Sequence, residues 1–182
     1  SDYQFAKAPN PPKVTAVPGD GKVTLYWDRS AESTQDKYMG NITNGADLYD
    51  FEGYKIYRAT DFEFNDAYNI TDGDGNPTFL EPYVQNGVRA QWDLVDGKSG
   101  WHPVDLNGIK FYLGDDTGLT HSYVDHTVVN GQRYYYAVVS YDYGGDLSNN
   151  IIPSDSPMKL RVNPLTGAVS LGPNVVEVVP SP

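Results

Sequence analysis

The chain has 182 residues, long enough for one large domain or two small ones with a sizeable core. Its 13 Lys and Arg against 24 Asp and Glu leave a formal net charge of -11, which repels nucleic-acid phosphates and anionic lipids and attracts multivalent cations. The absence of cysteine excludes disulfides, thiolate nucleophiles and cysteine-held zinc, and no stretch reaches the roughly 20 apolar residues of a membrane-spanning helix.

In chain order, residues 1–12 (SDYQFAKAPNPP) read as an extended linker, because their prolines suit neither helix nor central strand. Residues 13–17 form a short strand, 18–21 a turn and 22–28 a second strand, with Val23, Leu25 and Trp27 on one face. The polar stretch 29–50 has little periodicity. Strand character returns at 51–58, where Tyr54 and Ile56 share a face. From 60 to 120, turns rich in Asp, Gly and Asn separate short candidate strands at 78–85, 91–95 and 109–113. A further strand at 121–125 leads into the most telling run, VVNGQRYYYAVVSY at 128–141. There a tight Asn130-Gly131 turn releases an aromatic strand, and the spacing from Val128 to Tyr134 suits a tyrosine corner. Residues 142–157 form a polar loop and 158–162 a last alternating strand. The tail, 163–182, carries a β-prone run at 175–179 between Pro173 and Pro180. No helix is predicted. The fold class is all-β.

The order PPKVTAVPGDGKVTLYWD … GYKIYRAT … HSYVDHTVVNGQRYYYAVVSYD … PSDSPMKLRV resembles a fibronectin type III domain. The resemblance implies an immunoglobulin-like β-sandwich over 13–162, with strand A at 13–17, B at 22–28, C at 54–58, E at 121–125, F at 133–141 and G at 158–162. It makes Trp27 the core tryptophan and Tyr134 the corner tyrosine. Such a domain takes about 100 residues, so large insertions lie between B and C (29–50) and between C and E (60–120). The phrases GDDTG, VVNGQ and GPNVVEV are similar to modules of large secreted or surface proteins of Bacteroidetes-like bacteria. That implies an extracellular, non-enzymatic structural or interaction module, whose partners are other domains or copies of the same surface protein. The alternative is a glycan-binding accessory module of a secreted carbohydrate-active enzyme.

Three features bear on binding. Asp72, Asp74 and Asn76 alternate with glycine as at the start of a calcium loop, but the acid expected twelfth is Tyr83, and the same residues make a good plain turn. If Tyr134, Tyr136 and Val138 face the core, Tyr135 and Tyr141 face outward beside Tyr57. Together they form either an aromatic platform for a sugar or protein, or a face covered by the central insertion with Trp92 and Trp101. Val175, Val176, Val178 and Val179 suit edge pairing, on this domain's own sheet or on a neighbouring module. Catalysis has little support: His121, Ser122, Asp125 and His126 are triad residue types, but strand alternation sends Asp125 and His126 to opposite faces.

Overall fold

The computed structural model describes residues 6–158 and 160–182. Its main strands form where alternation is strictest. In β2 (Lys22–Trp27), Val23, Leu25 and Trp27 are buried while Lys22 and Tyr26 are exposed. Antiparallel pairing with β1 (Val14–Gly19) and β9 (Ser122–Asp125) builds a three-stranded sheet of order β1-β2-β9.

A four-stranded sheet faces it, built on β3 (Phe51–Ala59) and β10 (Tyr134–Asp142), which pair antiparallel. The edges are β8 (Gln91–Asp93) beside β3 and β13 (Val175–Val178) beside β10, giving the order β13-β10-β3-β8. Three hairpins decorate the sheets: β4 (Tyr68–Thr71) with β5 (Pro77–Leu80), β6 (Val84–Gln85) with β7 (Val88–Arg89), and β11 (Leu160–Val162) with β12 (Val169–Leu171).

The principal core lies between the sheets, where Val23, Leu25 and Trp27 meet Tyr54, Ile56, Tyr136 and Val138. Trp27 sits at its centre, edge-on to Tyr54 and tilted against Trp92. At the start of β10 the hydroxyl of Tyr134 accepts the Val129 N–H at 2.8 Å, which closes the expected tyrosine corner. All nine residues of β10 are buried, so neither face meets water. Its second face (Tyr135, Ala137, Val139) packs with Tyr57, Phe64 and Ala67 under Phe62, Leu80, Met158 and Leu171. The central insertion and the β11–β12 hairpin thus add a third layer.

Three expectations are corrected. Leu160–Val162 does not pair with β10 but turns back on β12; the edge of β10 is taken by β13 at Tyr134–Ala137, and by Ser154–Ser156 near its end. The physical reason is the better match of VVEV, whose Val175 and Val178 are buried and whose Val176 packs on the core, whereas β11 is largely exposed. Of the two pairings open to 175–179, the one on this chain's own sheet is the one formed, by Val175–Val178 on β10. Within the insertion, β8 confirms part of 91–95, while 109–113 makes only isolated bridges. A short helix, α1 (Lys37–Ile42), forms inside 29–50. Asp36 caps it by accepting the Met39 N–H at 3.1 Å, and Met39 is fully buried. A cap and one buried anchor, rather than an amphipathic period, account for this helix.

Candidate functional site

The third layer leaves a cleft of about 520 Å³ on the outer face of the four-stranded sheet. Lys55, Tyr57 and Val139 reach it from the sheet, Tyr68, Ile70 and Phe79 from the β4–β5 hairpin, and Trp101, Phe111 and Tyr112 from the loop after β8. Its walls are held by ring contacts: Phe79 meets Phe111 edge-on at 5.8 Å, and Trp101 meets Tyr112 at 5.0 Å. Polar groups stand among the rings. The Lys55 ammonium and the Tyr57 hydroxyl both donate to Asp155, each at 2.9 Å, and the Arg89 guanidinium lies 4.5 Å from the Tyr112 ring centre. Trp101 is 59 % exposed, with its ring against Tyr112 at the rim of the cleft.

The stripe read from sequence is not this surface. Tyr57 is 4 % exposed, Tyr135 8 % and Tyr141 1 %, so no open aromatic platform exists on β10. Tyr135 is sealed by the third layer. The Tyr141 hydroxyl donates to the Leu113 carbonyl at 2.5 Å and accepts from Gln91. Only Tyr57 lines the cleft, and burial next to Asp155 holds its hydroxyl well above the ordinary tyrosine range. Val175, Val176 and Val178 are spent on β10 of the same chain, and Val179 follows just beyond that strand.

Asp72, Asp74 and Asn76 lie at the tip of the β4–β5 hairpin, Asp72 half-buried and the other two exposed. One Asp72 oxygen accepts the N–H groups of Asp74 (2.9 Å) and Asn76 (3.0 Å), and these bonds, led by Asn76, hold its carboxyl below the usual range. This is an Asx turn closing on itself. Asp125 is buried and His126 exposed, as alternation predicts.

Sequence reasoning missed a second locus, at one end of the facing sheets. Phe51 at the start of β3 pairs with Asp142 at the end of β10, which brings Asp50 to Asp142. The Asp36 N–H donates to the Leu48 carbonyl at 2.7 Å, folding Asp36 onto the same spot. Asp36, Asp50 and Asp142 are all buried, and one oxygen from each lies within 4.8 Å of the others. Asp36 accepts the Lys7 N–H at 2.8 Å, and Asp142 accepts from Ser154 N (2.8 Å), Ser154 Oγ (2.7 Å) and Gly144 N (3.2 Å). Burial and then the neighbouring Asp142 and Asp36 push the Asp50 carboxyl up to about 8; burial pushes Asp142 up to about 7 despite Ser154. Close by on β3, burial and then the neighbouring acids Asp96 and Asp93 raise Glu52 to about 10, and among the described residues no N–H or hydroxyl donor reaches its oxygens. The three aspartates lie 14 and 92 residues apart, at a helix cap, before β3 and at the end of β10, with no shared motif, so nothing local announces them.

No family model and no curated protein matches the chain. Among solved structures it is similar to a β-1,2-glucanase from Parabacteroides distasonis, at 15 % identity and a TM-score of 0.36. The match covers 100 % of this chain and 14 % of the glucanase, and at that score it carries no argument about fold or activity.

Proposed function

We propose that the chain is an embellished fibronectin type III-like module, non-enzymatic, acting by protein–protein contact within a secreted or cell-surface bacterial assembly. The sheet orders β1-β2-β9 and β13-β10-β3-β8, with the corner at Tyr134, support that fold reading, since they correspond to strands A-B-E and G-F-C-C′. The observation that supports the functional reading is that two segments without regular structure, around residues 7–10 and 180–181, are bonded to opposite ends of the sheets. Lys7 is tied to Asp36 and Asn10 to Thr34 and Ser140 at the end that holds the acidic locus. Pro180 and Ser181 bond Gly131 and Gly19 at the opposite end of β1. Anchoring at opposite ends is compatible with a module that contacts neighbours through its exposed loops. The test is protease shaving and crosslinking on intact cells of a producing bacterium, read with an antibody to this chain. Surface-accessible, crosslinked species support the reading; recovery only as an uncrosslinked cytosolic protein overturns it.

The cleft favours a second reading, carbohydrate binding. An exposed indole beside a tyrosine, with Lys55, Asp155 and Arg89 at hand, offers rings for sugar faces and charged groups for hydroxyls. A glycan array followed by tryptophan-fluorescence titration tests it. Silence across the array removes this reading and leaves the first standing.

A further inference from the structure

We infer that Asp36, Asp50 and Asp142 form a calcium site that staples the loop end of the sandwich. Three carboxylates converge out of contact with water, and among the described residues no Lys, Arg or His makes an ion pair with any of them. Buried carboxylates are tolerated only when paired, protonated or bound to a cation.

The geometry favours the cation. Asp36 and Asp142 are already oriented by N–H and hydroxyl donors, which aim their carboxylates without neutralising them. Asp50 is different: it is 2 % exposed, it faces the other two, and its Oδ2 has no hydrogen-bond partner. Calcium–oxygen distances of about 2.3–2.6 Å allow ligand oxygens on one ion to lie up to about 5 Å apart, so oxygens all within 4.8 Å of one another fit a single coordination sphere. The donor set is oxygen only, which selects a hard cation, and three protein carboxylates suit calcium better than magnesium, which keeps its waters. Carbonyl oxygens and water complete such a sphere.

The ion would tie together three segments with little regular structure of their own: residues 29–50, the 142–157 loop and, through Asp36, the incoming chain at Lys7. The rival arrangement is a proton shared between Asp50 and Asp36. It holds the pair together but leaves no role for a metal.

The experiment is calorimetric titration of the chelator-treated full chain with CaCl₂ and MgCl₂, together with thermal unfolding in excess calcium or chelator. Binding of one calcium per chain is expected, with magnesium at least tenfold weaker. At a hundredfold excess of calcium over its dissociation constant, the unfolding midpoint rises by about 5–10 °C. Asp50→Asn abolishes the heat and the shift, whereas Asp72→Asn, in the exposed hairpin, leaves both intact. No binding to the unmodified chain, with the same midpoint in calcium and chelator, overturns the site in favour of the shared proton. Binding that survives Asp50→Asn and is lost in Asp72→Asn overturns it in favour of the hairpin.

Discussion

Tyr136 donates its hydroxyl to Oδ2 of Asp125 at 2.6 Å, joining β10 of one sheet to β9 of the other across the core. The carboxylate is fully buried, and every lone pair it offers is used: Arg58 donates to the same oxygen at 3.0 Å, and Thr127 and Tyr83 donate to the other. Burial alone would raise this carboxyl. The Tyr136 and Thr127 hydrogen bonds and the Arg58 charge outweigh it, and the net shift is downward.

A depressed carboxyl sets the sign of a pH effect. Its stabilisation is fully present above the unfolded value of about 3.9 and is lost as pH falls through the lower folded value. Urea midpoints measured from pH 6 to pH 2.5 are expected to fall below about pH 4. In Asp125→Asn that part of the fall disappears, and the variant is less stable at pH 6 by about 2–4 kcal/mol, because Arg58 and Tyr136 lose a charged acceptor. An unchanged acid profile in the variant contradicts this assignment.

Tyr134→Phe removes the acceptor of the Val129 N–H and little else, since the ring stays in the core. Val129 is exposed, so water can replace the lost partner. The expected cost is about 1 kcal/mol, or roughly 2–4 °C in midpoint, with unchanged far-ultraviolet circular dichroism. A loss several times larger shows that the corner sets the β9–β10 connection rather than merely trimming it.

These two tyrosines show what the sequence discloses and what it hides. Tyr134 and Trp27 were legible because their roles depend on local spacing and alternation, and both sit where that reading puts them. The inward set on β10 was legible for the same reason. The edge strand was not: 158–162 alternates and 175–179 is β-prone, and only the competition for one edge of β10 decides between them. The outer stripe of Tyr135 and Tyr141 has the right parity, but parity cannot say whether an insertion covers a face. The acidic locus lay furthest from view. Asp36 reads as a helix cap, Asp50 and Asp142 as loop acids, and only the β3–β10 register brings them together.

Trp101 and Trp27 provide a paired test of the cleft. Trp101→Ala removes an exposed ring and is expected to change stability by less than about 0.5 kcal/mol while abolishing any saccharide-dependent fluorescence change. Trp27→Ala empties the centre of the core and is expected to cost about 3–5 kcal/mol. A Trp101→Ala chain that unfolds as readily as Trp27→Ala shows that the indole holds the third layer in place rather than waiting for a ligand.

Ending the chain after Val162 distinguishes an integral β13 from a dispensable extension. The truncation removes β12 and β13, and with them the partners of Tyr134 through Ala137 on β10. It also breaks the Val14 N–H bond to Pro173, which ties the first sheet to this segment, and strips Val175 and Val178 from the two cores. What remains exposes the edge of a long apolar strand, a template for intermolecular pairing. Light scattering on the purified full chain is expected to give a monomer, because its own β13 covers that edge, while the truncated chain aggregates or fails to unfold cooperatively. A truncated chain that stays monomeric with an unchanged midpoint places β13 outside the cooperative unit. In that case residues 175–179 are free to leave β10 and pair with a neighbour.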